Sequence, residues 1–271
     1  MGILNVTLDS FSDGGKFLSV DKAVNHALRM VEEGARVIDV GGESTRPGAQ
    51  AVSAEVELER VVPIIKALSE RLGGREDVLI SIDTYKAQVA RAALACGASI
   101  INDITGLRGD PEMTGLARQT GAGLILMHMQ GNPGTMQISP HYSDVVSEVR
   151  DFFRQTFQLA IKSGLHPMCL AFDPGIGFGK TVAHNLELLR NLESLRVSDR
   201  PLVLGVSNKS FIGKVIGSEA MEDRFWPTVA LTSLARERGA NVLRVHEVKP
   251  NVQALRMTES ILEGGQDAGD Y

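Results

Sequence analysis

The stretch "LISIDTYKAQVARAALACGASIINDITG", residues 79–106, contains one complete strand–helix–strand unit and decides the class of fold. Its two outer segments are continuous apolar runs, which is typical of strands buried on both faces of a parallel sheet. Residues 85–96 carry apolar side chains three to four positions apart, as an amphipathic helix does. Gly97 then stands where a helix is expected to end before the next strand.

The same unit recurs along the chain. Its regular repetition predicts an α/β protein built as a single (β/α)8 TIM barrel. An open doubly wound sheet is the alternative, but the chain has no GxGxxG after its first strand. We predict one barrel domain over residues 1–264 and a flexible acidic tail over 265–271. The predicted strands begin at residues 2, 37, 79, 100, 123, 169, 201 and 241, and the predicted helices cover 21–33, 53–72, 85–96, 111–120, 143–163, 184–195, 209–216, 222–238 and 251–263.

Composition and charge limit the classes of function. The 271 residues are 43% hydrophobic and 23% charged, with a net charge of -5, as in an ordinary globular protein. Such a chain lacks the basic field of a nucleic-acid binder, and it shows neither a signal-peptide pattern nor an apolar run of membrane-spanning length. We expect a cytoplasmic protein with no nucleic-acid or membrane partner. Cys96 and Cys169 are the two cysteines, and we expect reduced, buried thiols.

Polar side chains stand at the end of every predicted strand. In parallel barrels these ends share one face, and active sites lie there. The onset of a solvated loop explains any single polar strand end equally well, whereas eight together predict a common cup for a small molecule. The residues are Asn5, Thr7, Glu43, Thr45, Arg46, Asp83, Asn102, Asp103, His128, Asp173, Ser207, Lys209, Arg244 and His246.

The short acceptor side chains in this cup indicate one kind of ligand. Asp83, Asn102 and Asp173 carry carboxylate and amide groups on rigid strand ends. Buried polar groups of this kind need hydrogen-bonding partners. A flat heterocycle with amino and amide edges would supply them.

The positively charged side chains indicate an anion. Arg46 and Arg244 can bind phosphate oxygens in bidentate fashion, and His246 can assist them. A Mg²⁺ ion bridging phosphates needs only one or two protein oxygens, which Asn5 and Asp9 could provide. The six histidines form no HExxH motif and no Cys/His cluster, so the sequence does not support a zinc site.

The segment "DPGIGFGKT", residues 173–181, nearly matches a phosphate-binding P-loop. Pro174 replaces the first glycine, and the preceding run is the sixth strand of the predicted barrel rather than the first strand of a nucleotide-binding fold. We interpret the segment as a tight glycine turn that lets backbone approach a ligand and displays Phe178 into the cup.

These motifs together resemble one family. "GILNVTLDSFSDGG", "DVGGESTRPGA", "SIDT", "IINDI", "LMHMQGNPGTMQ", "FDPGIGFGK", "GVSNKSFIG" and "RVHEV" resemble, in this order, the strand-end motifs of the dihydropteroate synthases. The resemblance extends from Gly2 to about Val248. It implies the condensation of 6-hydroxymethyl-7,8-dihydropterin pyrophosphate with p-aminobenzoate to 7,8-dihydropteroate and pyrophosphate in folate biosynthesis, through a dissociative mechanism. It also implies a homodimer formed through the last helices.

The resemblance implies a role for each matching residue. The catalytic set is Asp83, Asp173, Lys209, Arg244 and His246. The pterin is held by Asp83, Asn102, Asp173 and Lys209. Pyrophosphate is bound by Asn5, Arg46, Arg244 and His246. The p-aminobenzoate is surrounded by Thr45, Pro47, Phe178, Lys209 and Ser210, and the cofactor Mg²⁺ is bound by Asn5 and Asp9.

Two departures from the family pattern flank the p-aminobenzoate subsite. Leu8 stands where family members commonly have proline, and Asn208 replaces the arginine of the family's "SRK". We hypothesise an active synthase that discriminates p-aminobenzoate from sulfonamides, with neutral drift as the alternative explanation. Two other functions remain open, namely a methyltetrahydrofolate methyltransferase type of barrel and a non-catalytic pterin-binding paralogue.

Overall fold

The computed structural model describes residues 1–6, 15–44, 50–131 and 134–264, and strands alternate with helices along them. The strands are β1 Gly2–Asn5, β2 Val37–Gly41, β3 Leu79–Asp83, β4 Ile100–Asp103, β5 Gly123–Met127, β6 Leu170–Asp173, β7 Val203–Leu204 and β8 Val242–Leu243. The helices are α1 Gly15–Glu32, α2 Ala54–Leu72, α3 Ala87–Ala95, α4 Glu112–Thr120, α5 Val145–Lys162, α6 Val182–Arg190, α7 Ser210–Ile216, α8 Phe225–Glu237 and α9 Val248–Leu262.

The strands form a parallel barrel with two weak seams. Strands β1 to β6 form one sheet in sequence order, and β7 pairs with β8 in a second sheet. Single parallel bridges join the two sheets, one from Phe172 to Leu202 and one from Gly2 to Val245. Hydrogen bonds of 2.9 Å reinforce the second seam, where the Ile3 and Val245 amides donate to the carbonyls of Val245 and Met1. The predicted (β/α)8 barrel is therefore confirmed.

Several boundaries differ from the sequence prediction. Helix α1 begins at Gly15 rather than residue 21, since a helix can start before its apolar periodicity becomes visible. Helix α6 begins at Val182 because Thr181 caps it: the Thr181 hydroxyl accepts from the His184 amide at 3.2 Å. It stops at Arg190, and a short 3-10 helix follows at Leu192–Leu195 instead of a continuous helix to residue 195.

The apolar core lies between the sheet and the surrounding helices. Phe153 of α5 and Phe172 of β6 are both fully buried, and their ring centroids lie 4.8 Å apart. Cys96 and Cys169 are unpaired as predicted, but the prediction that they are buried is wrong, since both thiol-bearing residues are partly exposed next to helix and strand ends. In the described part of the chain, no helix is both long enough and apolar enough to cross a membrane.

Candidate active site

A cavity opens at the carboxyl ends of the barrel strands. It brings together six residues that the sequence predicted for a ligand site and adds apolar and glycine residues around them. The predicted members are Asp83, Asn102, Asp173, Phe178, Lys209 and Arg244, and the additional ones are Ile104, Met127, Gly175, Ile176 and Gly205.

The centre of the cavity is a guanidinium held by two carboxylates. Arg244 Nε lies 2.6 Å from Asp39 Oδ2, and Arg244 Nη2 lies 2.6 Å from Asp83 Oδ2. Asn102 donates from Nδ2 to the same Asp39 oxygen at 3.0 Å. Asp39 is completely buried, and its Oδ1 accepts no hydrogen bond from the described part of the chain. Arg244 therefore links the end of β8 to β2 and β3 across the seam beside β1, while it lines the cavity.

Burial shifts the proton affinities of these groups in a consistent way. Burial raises the pKa of Asp83 to about 7, although the positive charge of Arg244 opposes the shift. Burial also raises the pKa of Asp173, against the Gly175 amide that donates to it at 2.7 Å and the charge of Lys209. Burial alone would lower the pKa of Arg244, but Asp39 and Asp83 outweigh it and raise that pKa. Arg244 therefore keeps its positive charge, whereas the negative charges of Asp83 and Asp173 are only partly stabilised by their neighbours.

The glycine-rich segment after β6 forms one wall of the cavity. Gly175 has a φ of 66°, and a Cβ at this position would lie only 2.0 Å from the carbonyl oxygen of His128. The close approach requires glycine, and it places the following residues against the end of β5. Lys209 Nζ lies 3.9 Å from the ring centroid of Phe178, in a cation–π contact. The predicted tight glycine turn is confirmed.

The remaining predicted site residues lie outside the lining of this cavity or outside the described residues. His246 follows β8, and its Nδ1 lies 2.9 Å from Ser207 Oγ. Asn5 ends β1 with an exposed side chain, and Ser210 is the exposed first residue of α7. Thr7, Leu8, Asp9, Thr45, Arg46 and Pro47 lie outside the described residues.

Comparison with known proteins identifies the family. Residues 1–246 match the sequence profile of a family described as pterin binding enzyme. The chain belongs to this family of pterin-binding enzymes. It is 47% identical over 261 residues to the dihydropteroate synthase of Synechocystis, which covers 96% of this chain and 89% of the relative. The resemblance found in the strand-end motifs is therefore confirmed.

Solved structures of one relative agree in fold and sequence. The Xanthomonas albilineans dihydropteroate synthase with 4-aminobenzoic acid has a TM-score of 0.88 and 44% identity, over 97% of this chain and 92% of that one. The same enzyme in complex with 7,8-dihydropteroate has a TM-score of 0.84 and 40% identity, again over 97% and 92%.

In this pterin-binding enzyme, some of the polar residues at strand ends contact other parts of the fold and do not belong to the cavity lining. Glu43 forms an ion pair with Lys86, which also contacts Glu57. Asp103 accepts hydrogen bonds from the amides of the next loop, for example from Leu107 at 2.8 Å. His128 is buried against the side chain of Lys180. Position at a strand end therefore does not by itself assign a residue to the site.

Sequence reasoning missed Asp39 and the apolar part of the cavity. Asp39 lies inside the run "VIDVGG", two residues before the end of β2. A charged residue within an otherwise apolar strand was the available signal, because burying it requires a partner. Ile104 and Met127 belong to a separate small apolar cluster with Met129 and Met136. They follow or end strands and resemble ordinary core residues in sequence.

We predict that Asp39→Asn lowers the free energy of unfolding by about 3 kcal/mol, because it removes one partner of a buried charge pair. Urea denaturation followed by circular dichroism measures the change. Asp77→Asn is the matched control, since Asp77 pairs with Arg36 and Arg75 on the exposed surface. Equal stability of the two variants would contradict a structural role for the Asp39 charge.

Proposed function

We propose that the chain catalyses the dihydropteroate synthase reaction. It joins 6-hydroxymethyl-7,8-dihydropterin pyrophosphate to p-aminobenzoate and releases 7,8-dihydropteroate and pyrophosphate. The observation that carries the proposal is a set of three acceptor side chains, the buried Asn102 and Asp173 and the largely buried Asp83, which lines one cavity together with Arg244 and Lys209. The proposal rests as well on relatives of this name that match nearly the whole chain.

The pterin is bound through the acceptors of the cavity. A pterin carries an amino group and ring N–H groups along one edge, and Asp173 and Asp83 can accept from them. The Asn102 amide can both donate and accept. Because burial raises the pKa of Asp83 and Asp173, donors from a ligand stabilise carboxylates that the protein leaves under-compensated. Ile104 and Met127 offer apolar surface to the faces of the flat ring.

The p-aminobenzoate lies against Phe178 and Lys209. The ring of Phe178 supplies an apolar wall, and Lys209 Nζ is held over that ring at 3.9 Å. Ser210 begins α7 beside Lys209, where the substrate carboxylate would be favoured. Thr45 and Pro47 complete this proposed subsite. The 4-aminobenzoic acid complex of the Xanthomonas relative supports this class of substrate.

The reaction is dissociative. The bond between the pterin methylene carbon and the pyrophosphate oxygen breaks first, and the aniline nitrogen then attacks the resulting cation and loses a proton. Asp173 stabilises the developing positive charge, and Arg244, His246 and Arg46 stabilise the departing oxygens. Ser207 orients the His246 ring through the 2.9 Å contact between Ser207 Oγ and His246 Nδ1.

Magnesium would fit this site as an ion bound mainly by the pyrophosphate of the substrate and by water, with few protein ligands. Among the described residues, no three His, Cys, Asp or Glu side chains are grouped to hold a metal. Mg²⁺ keeps several waters and needs only one or two protein oxygens beside phosphates. The exposed Asn5 amide at the end of β1 can supply one oxygen, and Asp9 a second. The ion would supply charge neutralisation of the pyrophosphate.

The reaction is tested by a coupled pyrophosphate assay. We expect release only when both substrates and Mg²⁺ are present, and we expect Asp173→Asn to lower kcat/KM by about 100-fold or more. Asp151→Asn is the control, since Asp151 pairs with Arg154 on the exposed face of α5. Pterin retention without pyrophosphate release would favour a non-catalytic paralogue. Methyl transfer from methyltetrahydrofolate would favour the methyltransferase type of barrel.

We also propose a homodimer that forms through the last helices. The support is a set of exposed apolar side chains on α8 and α9, including Trp226 at 72% exposure and Met257 and Ile261 at 63% and 68%. Exposed apolar patches mark association surfaces, and we propose that these side chains of α8 and α9 contribute to one. We predict a dimer by sedimentation equilibrium, and we predict that Trp226→Lys shifts it toward monomer because it places a charge in the contact. A wild-type monomer at micromolar concentration would refute the dimer.

We propose that discrimination against sulfonamides depends on Leu8 and Asn208. Asn208 has a φ of 57°, a left-handed conformation that Asn adopts more readily than most residues. Its carbonyl accepts from Arg224 at 3.2 Å, and its amide donates to Thr228 Oγ1 at 3.2 Å. These hydrogen bonds fix the backbone at this position without the arginine of the family pattern. We infer that the absence of this arginine side chain changes the surroundings of the neighbouring Lys209.

We predict a sulfonamide Ki that is high relative to the KM for p-aminobenzoate when compared with the Synechocystis relative. Asn208→Arg should lower this ratio, because it restores the side chain of the family pattern. Asn208→Gly is the control, since it keeps the left-handed backbone and adds no side chain. Steady-state inhibition kinetics measure both constants, and a wild-type ratio as low as that of the relative would contradict the proposal.

A further inference from the structure

A buried lysine that the proposed reaction does not use holds the loop after β6. Lys180 is only 3% exposed. Its Nζ lies 3.0 Å from His128 Nδ1 and 3.3 Å from the His128 carbonyl oxygen at the end of β5. The same nitrogen lies 3.0 Å from the carbonyl oxygen of Phe178. Lys180 therefore connects its own loop to the neighbouring strand.

The three atoms around Lys180 Nζ are all hydrogen-bond acceptors, which is what an ammonium group requires. An ammonium has three donors, and it meets here two carbonyl oxygens and one ring nitrogen. Burial, together with the charges of Lys180 and Arg108, lowers the pKa of His128 to about 2, so the imidazole stays neutral and can accept. Burial lowers the pKa of Lys180 itself to about 7, although Asp173 opposes this shift. A lysine is rarely buried to this extent, since the cost is large unless its donors are satisfied.

The hydrogen bond from Lys180 to the Phe178 carbonyl fixes the main chain of Phe178, the residue whose ring forms the apolar wall of the proposed p-aminobenzoate subsite. Phe178 lines the cavity and packs against the cluster of Ile104, Met127, Met129 and Met136. Neighbouring carbonyls of the loop have other donors: Gln137 donates to Gly177 at 2.7 Å, and the Tyr142 hydroxyl donates to Gly179 at 2.8 Å. Lys180 donates to the carbonyl oxygen of Phe178 itself.

We propose that Lys180 is a positioning residue for the arylamine substrate, which holds the Phe178 ring at the distance from Lys209 that the p-aminobenzoate subsite requires. The inference rests on the proposed function, because it assigns Phe178 to the p-aminobenzoate subsite. Lys180 acts through the Phe178 main chain and takes no part in the chemical step. Loss of its contact releases this wall and leaves Asp83, Asn102 and Asp173 in place.

The test compares the two Michaelis constants of Lys180→Met, a substitution that keeps the length of the side chain and removes its donors. We expect the KM for p-aminobenzoate to rise about ten-fold, as for other misfitted apolar pockets, and the KM for the pterin substrate to stay within about two-fold. Tyr142→Phe is the matched control, because it removes the donor to the adjacent Gly179 carbonyl and keeps the aromatic ring. We expect it to leave the ratio of the two constants unchanged.

Additional variants separate positioning from folding. In a Phe178→Leu background, Lys180→Met should add no further rise in the KM for p-aminobenzoate, since the wall is already absent. Lys180→Gln retains two N–H donors without the charge and serves if Lys180→Met does not fold, and failure of both to fold would overturn the proposal. So would equal changes in both Michaelis constants, no change in either, or the same selective change in Tyr142→Phe. A wild-type protein without pyrophosphate release would instead refute the proposed function.

Discussion

The ion pairs of Arg244 with Asp39 and Asp83 are the interaction on which both the barrel and its cavity depend. Arg244 follows β8, whereas its partners belong to β2 and β3, so the guanidinium spans the seam that a single bridge closes beside β1. Buried ion pairs add little net stability compared with apolar packing, but breaking one leaves an uncompensated charge. An arrangement of this seam that separates Arg244 from Asp39 or Asp83 would leave a buried charge without its partner. The ion pairs therefore favour the observed arrangement of the strands over others.

The same contact sets part of the charge distribution in the cavity. Asp39, Asp83 and Asp173 bring three carboxylates to a buried region where Arg244 and Lys209 bring two cations. Burial penalises the charged form of Asp83 and raises its pKa to about 7, although the positive charge of Arg244 opposes the shift. A ligand that donates N–H groups relieves this penalty without adding charge. Burial of the same charged groups thus underlies both the contact across the seam and the proposed preference of the cavity for an amino-substituted heterocycle.

The barrel and the core of the site could be predicted from the sequence because both depend on position along a strand. Asp83 and Asp173 end strands, and they line the cavity. Glu43 and His128 were predicted by the same rule but contact Lys86 and Lys180. Strand position determines where a Cβ lies, but it does not determine which partner a long side chain reaches. The boundaries of the shortest strands were beyond prediction for a related reason, since tertiary pairing rather than local pattern sets them.

The glycine-rich segment "DPGIGFGKT" resembles a phosphate-binding loop in sequence, but its amides and its lysine donate to groups of the protein itself. In a phosphate-binding loop, glycine amides and a lysine converge on the anion. Here the Gly175 amide donates to Asp173 at 2.7 Å, and the Gly177 amide donates to Asn185 at 2.8 Å. The ammonium of Lys180 donates to backbone carbonyls instead of a phosphate. These donors are satisfied within the protein, and the loop presents the side chain of Phe178 to the cavity. This arrangement agrees with the proposed arylamine subsite and differs from a nucleotide-binding loop.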